Sequence, residues 1–417
     1  MNIMDSLRGK CLMRIIVQKF GGTSLSTAQA RVQAIQHIKR ALHDQYAVVV
    51  VVSAMGRSGD PYATDSLLSL VAENGNSLPA REQDLLLSCG EIISAVTLCS
   101  LLHAEGIPSR VFTGTQAGIR TDARFGDARI LKVTPAALRE VIERGEVAVV
   151  TGFQGCTEDG DVTTLGRGGS DTTATALGAA LQAELVEIYT DVIGILTADP
   201  KIVPDAKQLA TVSYAEVCNM ANYGAKVIHP RAVEIAMHAR IPLRIRSTFS
   251  TNEGTLVADT AAARHAGEIT DRYVTGIAHT ADITQIQVTA EDQQLDLQVQ
   301  VFQAMARAGI SVDFINVNPS GVVYTVSDQV AGKAEAVLKE LGYRPKLVRG
   351  CAKIAVIGGG INGVPGIMSK IVSALADHHI SILQSADSNT TIWVLVNRSD
   401  MGTALRALHE EFALAEG

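Results

Sequence analysis

The chain has 417 residues, with 36 Lys and Arg against 43 Asp and Glu, and a formal net charge of −7. That length exceeds one ordinary hydrophobic core and predicts two or three domains. The acidic balance and an aromatic content of 4% argue against nucleic-acid binding, which needs clustered cations or stacking side chains. The apolar runs are too short for a membrane span or a signal peptide, and the six cysteines form no CxxC pair. We therefore expect a cytoplasmic protein with reduced thiols and no membrane partner.

The first 250 residues alternate short β-branched runs with amphipathic stretches such as Ala28–His43 and Glu82–Ala104. The runs, each of which predicts a buried strand, are Ile15–Gln18, Ala47–Ser53, Ser109–Thr113, Val147–Gly152 and Leu185–Thr190. This alternation predicts an α/β fold, a three-layer sandwich around a largely parallel sheet. Ligands of such sheets lie beyond the carboxyl ends of the strands.

Residues 251–270 are mostly small and polar and predict a linker after a first domain of residues 14–250. Residues 271–417 then repeat a β-α-β-β-α order twice, which predicts two ferredoxin-like βαββαβ modules. Too few residues follow Phe412 for a closing strand of the second module. We therefore expect Tyr273–His279 to complete its sheet and the two modules to be interleaved.

The first motif with chemical content is Lys19–Ser24, KFGGTS, which joins the first strand to a helix. Paired glycines let backbone N–H groups approach an anion, and the helix N-terminus adds positive potential. Lys19 would supply a cation for a transferring phosphate. Considered alone, the motif fits a tight turn with a solvated lysine equally well.

The second motif is Thr164–Thr173, TLGRGGSDTT, ahead of a helix of small residues. Three glycines around Arg167 leave its guanidinium above a floor of backbone donors, which favours capture of a carboxylate or phosphate. A purely structural turn seldom carries Arg, Ser, Asp and two Thr together. This motif therefore favours a binding function.

The third motif is Tyr189–Lys201, YTDVIGILTADPK, where a strand ends and two polar corners follow. Such corners can wrap a purine and its ribose, but two ordinary turns fit nearly as well. Single residues carry less information. Glu91 and Ser53 fit a cap or a surface position as well as a ligand site, and Lys226 fits a nucleotide ligand or a solvated side chain.

The segment Gly358–Gly363 also satisfies the GxGxxG pattern after a predicted strand. Only about 60 residues follow it, too few for the paired βαβ halves of a dinucleotide fold, which argues against a nicotinamide site. The chain contains no Walker A sequence, which excludes a P-loop kinase.

Five segments, in order, resemble the aspartokinase family. They are KFGGTS (19–24), SAMG (53–56), REQDLLLSCGE (81–91), TLGRGGSDTTA (164–174) and YTDVIGILTADP (189–200). The likeness runs through residues 15–250, and the C-terminal pair of modules resembles the two ACT domains of that family. The resemblance implies phosphorylation of the β-carboxylate of L-aspartate by ATP with Mg²⁺. The product would be 4-phospho-L-aspartate, the entry to lysine, diaminopimelate, threonine and methionine.

The same resemblance implies the site residues. Those placed on ATP are Lys19, Phe20, Gly21, Gly22, Thr190, Asp191, Leu196, Thr197, Asp199, Lys201 and Lys226. Those placed on L-aspartate are Ser53, Thr64, Glu91, Arg167, Gly168, Gly169 and Ser170. Lys19, Arg167 and Asp171 form the catalytic set, and no dedicated metal site of protein side chains is expected. The sequence departs from the family at Lys201, where many relatives have Arg, and at Ala290–Asp296, which lacks the Pro-Gly turn that the second module has at Pro365-Gly366.

The ACT resemblance also implies regulation. We expect an amino-acid effector (lysine, diaminopimelate or threonine) at an ACT interface, and a homodimer or larger homo-oligomer held through residues 271–417. Within Ser311–Gly321, Asp313 and Asn316 are expected to meet the effector's ammonium group.

Two alternatives stay open. One is a sibling kinase acting on glutamate, acetylglutamate or a nucleoside monophosphate, which the duplicated tail speaks against. The other is a non-catalytic amino-acid sensor, which the joint presence of Lys19, Arg167 and Asp171 speaks against.

Overall fold

The computed structural model describes residues 13–72, 78–224, 227–259, 273–289 and 296–416. These residues form two compact units. Unit 1 contains the described residues up to Ile195, Gln208–Ala221 and residues 227–259. Unit 2 contains Leu196–Lys207, residues 222–224 and the described residues from 273 onward. The stretch predicted as one catalytic domain therefore gives two short segments to unit 2.

Unit 1 alternates strands and helices. Its strands are β1 (Ile15–Phe20), β2 (Ala47–Val52), β3 (Ser109–Phe112), β4 (Ile119–Thr121), β5 (Ile130–Val133), β6 (Val147–Thr151), β7 (Gln154–Cys156), β8 (Val162–Thr164), β9 (Leu185–Thr190), β10 (Thr211–Ser213), β11 (Leu243–Ser247) and β12 (Thr255–Ala258). Its helices are α1 (Gly22–Leu25), α2 (Ala28–His43), α3 (Thr64–Ala72), α4 (Ala80–Ala104), α5 (Ala136–Glu143), α6 (Gly169–Leu181), α7 (Tyr214–Asn222) and α8 (Pro230–Ala239).

The main sheet of unit 1 has eight strands in the order β10-β12-β11-β9-β1-β2-β6-β3. Its neighbours are parallel except for β11 and β12, and the five predicted strands all belong to it. Val48–Val52 of β2 are buried because parallel sheets are covered on both faces. A smaller sheet has the order β5-β4-β7-β8. The predicted α/β fold around a largely parallel sheet is confirmed.

Residues 260–270 of the predicted linker lie outside the described residues, and part of the remainder is not a linker. Thr255–Ala258 forms β12, which pairs antiparallel with β11 inside the main sheet. The short apolar pair Leu256-Val257 lies in a polar surrounding sequence, so its strand character comes from the neighbouring strand and is weak in the sequence itself.

Among the described residues, α4 is the one helix with the length and apolar composition of a membrane span. A buried core helix meets the same two criteria. Ala95, Leu98 and Leu102 of α4 are buried in the core of unit 1 with Phe20 and Val50. Packing therefore accounts for the apolar character of α4.

Unit 2 contains one six-stranded sheet in the order β14-β15-β13-β16-β18-β17. The strands are β13 (Gly276–Thr289), β14 (Asp313–Asn318), β15 (Gly321–Ser327), β16 (Lys346–Ile357), β17 (Gln384–Asp387) and β18 (Thr391–Asn397). The helices are α9 (Leu297–Arg307), α10 (Asp328–Glu340), α11 (Ile367–Asp377) and α12 (Met401–Glu411), with a 3₁₀ turn at Arg398–Asp400.

The two long strands of this sheet run through both predicted modules. The first part of β13, Gly276–Thr280, pairs with Lys353–Ile357 of β16, and the later part pairs with β15 and with Lys346–Cys351. The upstream segment thus completes the second module, as expected from its missing closing strand. The apolar run in Ile380–Gln384 predicts a strand there, and this prediction is wrong in position, because β17 begins only at Gln384. Ile380 is instead buried in a hydrophobic core cluster of unit 2.

A buried carboxylate links the three central strands of unit 1. Glu187 of β9 accepts hydrogen bonds from Gln18 Nε2 of β1 (2.9 Å), from Tyr189 OH (2.8 Å) and from Arg246 Nη1 of β11 (2.9 Å). Both side chains of the Glu187–Arg246 ion pair are 6% exposed. Removing one partner of such a pair leaves an uncompensated buried charge.

We expect Glu187→Gln to lower the free energy of unfolding by about 3–5 kcal/mol, because Arg246 stays buried without its counter-charge. The matched control is Glu184→Gln, which breaks the surface pair with Arg14, whose side chains are 49% and 48% exposed. That change should cost less than about 1 kcal/mol. Urea unfolding of both variants measures the difference. Equal losses would show that the buried pair adds no more than the surface pair.

Candidate active site

The carboxyl end of β1 brings the first two motifs together. Lys19 lies one residue before the end of β1, and Asp171 lies in the first turn of α6. Lys19 Nζ is 2.7 Å from Asp171 Oδ1, and the two side chains are only 12% and 11% exposed. Shielding from water strengthens this attraction. The Lys19 ammonium is therefore held beside the glycine turn that follows β1.

That turn is packed so closely that glycine is required at its second position. A Cβ on Gly22 would lie 2.5 Å from the carbonyl O of Gly56 and 2.8 Å from that of Ala54. Gly56 N also donates to Gly22 O at 3.0 Å. A Cβ on Gly21 would lie 3.4 Å from Lys19 Nζ. Close backbone and a fixed cation together are the pattern of an anion site.

Glu91 reaches the same region from α4. Its side chain is buried, and Oε1 accepts a hydrogen bond from Ala54 N at 3.0 Å. Its Oε2 is buried and has no hydrogen-bond partner among the described residues. Burial raises the pKa of the Glu91 carboxyl to about 8. A half-satisfied carboxylate inside a site is a ready partner for a ligand cation.

Other residues predicted on L-aspartate lie at neighbouring strand ends. Ser53 N donates to Phe20 O at 3.1 Å, directly after β2. A Cβ on Gly152, after β6, would lie 2.7 Å from Ser170 Oγ, so Ser170 lies against the end of that strand. Thr64 begins α3, and its contact with a ligand stays a prediction.

Arg167 is mounted on a left-handed turn. Gly168 has φ +67°, and a Cβ there would lie 2.2 Å from the Cβ of His229, while Gly169 begins α6. The Arg167 side chain is exposed and forms no ion pair with another residue in the described ranges. An exposed guanidinium on a tightly packed loop suits capture of a carboxylate or phosphate.

The first arm of the predicted nucleotide site lies at the end of β9. Gly21 N donates to Tyr189 O at 3.3 Å, and Thr248 N donates to Thr190 O at 2.9 Å. Asp191 forms an ion pair with Arg57. The Phe20 side chain is fully buried and stacks on Tyr189, so only its backbone is left for a ligand.

The second arm of the predicted nucleotide site, which includes Leu196 and Lys201, belongs to unit 2. There Thr197 is buried, and its Oγ1 lies 2.9 Å from His409 Nε2 of α12. Asp199 Oδ1 accepts a hydrogen bond from Lys201 N at 2.9 Å. Lys226 lies outside the described residues. For these residues, nucleotide binding stays a prediction.

Comparisons with known proteins give the family of the chain. A model of the amino acid kinase family matches residues 14–247, and an ACT domain model matches residues 346–410. Aspartokinase 1 of Bacillus subtilis (strain 168) is 54% identical over 404 residues, which cover 97% of this chain and 100% of that protein. The chain belongs to the aspartokinase family.

Solved aspartokinases also share its fold. Escherichia coli aspartokinase III in complex with aspartate and ADP (R-state) has a TM-score of 0.75 and 25% identity, and the match covers 95% of this chain and 99% of that one. The same enzyme in complex with lysine and aspartate (T-state) has a TM-score of 0.73 and 26% identity over the same shares. The predicted activity, that of an ATP-dependent kinase, is confirmed for this aspartokinase.

The structure adds site residues that the sequence reasoning missed. Arg57 follows the SAMG segment and pairs with Asp191, and His229 N donates to Asp171 Oδ2 at 3.4 Å. Phe153 has a left-handed backbone (φ 69°) and donates from its N to Thr173 Oγ1 at 3.1 Å. Left-handed residues other than glycine concentrate at functional sites. Only the position of Arg57, directly after a recognised motif, could have been noticed in the sequence.

The predicted effector residues of this aspartokinase lie on β14 of unit 2. Asp313 forms an ion pair with Lys353, whose side chain is 4% exposed. Both line a cavity of about 190 Å³ with Tyr223, Phe314, Ile315, Ala386 and Trp393. Lys353 Nζ lies 4.6 Å from the centre of the Tyr223 ring. Asn316 is exposed and does not line this cavity.

The raised pKa of Glu91 predicts a pH-dependent stability. Between its ordinary value of 4.5 and about 8, the folded protein holds a proton that the unfolded chain has lost, so stability falls as pH rises across this window. Glu91→Gln removes that dependence. We expect its melting temperature relative to the parent to increase steadily from pH 5 to pH 8.

Thermal unfolding at four pH values checks this expectation. Glu82→Gln, in the first turn of the same helix, is the control and should differ from the parent by a constant amount. A pH-independent offset for Glu91→Gln would show that Glu91 is ionised in the folded protein.

Proposed function

We propose that this chain transfers the γ-phosphoryl group of ATP to the β-carboxylate of L-aspartate and so forms 4-phospho-L-aspartate in the cytoplasm. The observation that carries the proposal is the sheltered Lys19–Asp171 pair, 2.7 Å long, beside the Gly21-Gly22 turn. A solved relative is in complex with aspartate and ADP, the acceptor and the nucleotide product of the proposed reaction, which supports this choice of ligands.

The reaction requires mainly that the β-carboxylate and the γ-phosphoryl group be correctly positioned. The β-carboxylate has an ordinary pKa of about 3.9, so the nucleophile is already ionised near neutral pH and needs no general base. The site must bring two anions together in line and neutralise charge that develops on the departing phosphoryl group. Lys19 supplies that cation, and the Gly21-Gly22 backbone approaches the phosphates.

In this proposal Mg²⁺ enters the site bound to the phosphates of ATP. No group of three or more His, Cys, Asp or Glu that could cage a metal occurs in the part of the chain that the structure describes. Mg²⁺ at kinase sites is held largely by phosphates, with one or two carboxylates and water. Its chemistry, when bound, is neutralisation of phosphate charge.

Two groups would recognise the amino-acid end of the substrate. The Arg167 guanidinium forms a fork that matches the α-carboxylate. The unpaired Oε2 of Glu91 would accept the α-ammonium, and that cation would favour the ionised form of Glu91.

A hydroxylamine trap tests the acceptor. The full chain with MgATP and hydroxylamine should give a hydroxamate with aspartate and none with glutamate or acetylglutamate, and a nucleoside monophosphate should not stimulate ADP release. Hydroxamate with glutamate alone would favour a sibling kinase. Absence of product with every acceptor would favour a non-catalytic sensor.

Arg167→Lys should raise the aspartate KM at least about tenfold, nearly as much as Arg167→Ala, because a point charge does not replace a bidentate fork. The KM for ATP should stay near that of the parent. Arg129→Lys, at another exposed arginine of unit 1, is the control. An aspartate KM of Arg167→Lys equal to that of the parent would contradict a bidentate contact between Arg167 and the α-carboxylate.

We also propose that an end-product amino acid, lysine, diaminopimelate or threonine, inhibits through unit 2. Asp313 and Lys353 offer one anion and one cation in the same cavity, which matches a zwitterion whose ammonium meets Asp313 and whose carboxylate meets Lys353. The T-state relative bound to lysine supports this class of ligand. Inhibition requires that the ligand prefer one of two conformations.

A homodimer through residues 271–417 is part of the same proposal. An open apolar groove lies on unit 2, lined by Gln298, Val299, Phe302, Gln303, Ala306 and Val317. Val299 and Val317 are about half exposed, at 54% and 48%. The strand β14, which carries Val317, is one of the two edge strands of the described sheet. Exposed edges with apolar residues favour pairing with a second copy.

Asp313→Asn should weaken inhibition by the effector at least about tenfold, because the ammonium loses its counter-charge. Asp282→Asn is a matched control, since Asp282 is also an exposed acid of this sheet paired with a basic residue, Arg398. Inhibition curves with lysine, diaminopimelate and threonine measure the change. Undiminished inhibition of Asp313→Asn by each of these amino acids that inhibits the parent would contradict this pocket.

A further inference from the structure

Another buried carboxylate of unit 1, that of Asp84, has no role in the chemistry described so far. It lies on α4, seven residues before Glu91, which is about two helical turns and hence a similar face of the helix. Its side chain is 1% exposed. A buried carboxylate is costly unless its oxygens accept hydrogen bonds.

The partners of Asp84 in the described part of the chain lie next to the loop that carries Arg167: Thr164 precedes this loop, and a Cβ on Gly166 would lie 3.3 Å from Gly126 O. Its Oδ2 accepts from Thr164 N at 2.7 Å and from Gly126 N at 3.0 Å, and its Oδ1 accepts from Thr164 Oγ1 at 2.7 Å. Thr164 is the last residue of β8 and stands three residues before Arg167. Both carboxylate oxygens are thus occupied, so Asp84 is not available to a ligand.

The same loop is held from its other side. Arg231 of α8 donates to Leu165 O at 3.2 Å and to Ala128 O at 3.0 Å, and Leu165 N donates to Phe153 O at 2.8 Å. The backbone just before Arg167 is therefore held by both Asp84 and Arg231, while the Arg167 side chain itself is exposed.

We infer that Asp84 is a positioning residue for amino-acid recognition, which fixes the Arg167 loop to the helix that carries Glu91. One rigid helix then sets the spacing between the group for the α-carboxylate and the group for the α-ammonium. The inference rests on the proposed roles of Arg167 and Glu91. Catalytic groups must be held by partners of this kind to keep their geometry.

The predicted effect is selective for one substrate. In Asp84→Asn the amide oxygen can still accept from Thr164 N and Gly126 N while the N–H₂ group donates to the Thr164 hydroxyl, so the contacts persist but lose the strength that the carboxylate charge gives them. The aspartate KM should rise at least about tenfold, while kcat and the KM for ATP stay within about twofold. Thr164→Val, which removes a single donor, should show a smaller rise in the aspartate KM. Thr164→Ser keeps the hydroxyl and should behave like the parent.

A double-mutant cycle with Arg167→Ala shows whether Asp84 acts through Arg167. If it does, Asp84→Asn adds no further rise in the aspartate KM once Arg167 is absent. An undiminished tenfold rise in that background would overturn the inference. So would equal losses in kcat, aspartate KM and ATP KM, which indicate a general structural role. Should Asp84→Asn fail to fold, the Thr164→Val and Thr164→Ser pair carries the same test.

The cycle also separates this inference from the proposed function. If Arg167→Ala raises the aspartate KM but neither Asp84→Asn nor Thr164→Val does, the inference alone is wrong. If Arg167→Ala leaves the aspartate KM unchanged, the proposed role of Arg167 is wrong and the inference falls with it.

Discussion

The carboxylate of Glu187 is the interaction on which the site in unit 1 depends. It accepts hydrogen bonds from side chains of three strands and pairs with the buried guanidinium of Arg246. These contacts fix the positions of β1, β9 and β11 relative to one another. Lys19 and Thr190 lie at the carboxyl ends of β1 and β9, so their positions depend on how these strands are held. A kinase that holds two anions in line needs strands that are held rigidly beneath its site.

Three buried acids of unit 1 show how burial separates scaffold from site. Glu187 and Asp84 use both of their oxygens within the protein. Glu91 uses one oxygen and leaves the other without a partner among the described residues, and its pKa is raised to about 8. In the unfolded chain all three carboxyl groups are exposed to water. Only the packing around each carboxyl decides which of them a ligand can reach.

Much of the fold could be predicted because several of its strands are recognisable from their local sequence. A run such as Ala47–Val52 has few alternatives to a buried parallel strand. The predicted bounds of a strand are wrong where an apolar run is buried without forming a strand. Ile380 belongs to such a run: it is buried in the core, and β17 begins only at Gln384. The weak strand Thr255–Ala258 depends on β11 for its pairing, which no local pattern reveals.

The site divides in the same way. Lys19, Arg167 and Asp171 lie in compact segments whose composition indicates anion binding. Arg57 and Asp84 act on residues 134 and 80 positions away, so their partners become apparent only after folding. The segment Leu196–Lys207 shows a further limit, since it continues a motif of unit 1 yet packs in unit 2. Sequence continuity does not imply membership of one folded unit.

The shared strands of unit 2 have a consequence for its history and its unfolding. Because β13 and β16 each pair with strands of both modules, deleting either repeat would leave the other with unpaired backbone. Stacked solenoid repeats can be gained or lost one at a time, since each contacts only its neighbours. This duplication is instead fixed at two copies. Its halves should melt together in a single transition, since neither retains a complete sheet without the other.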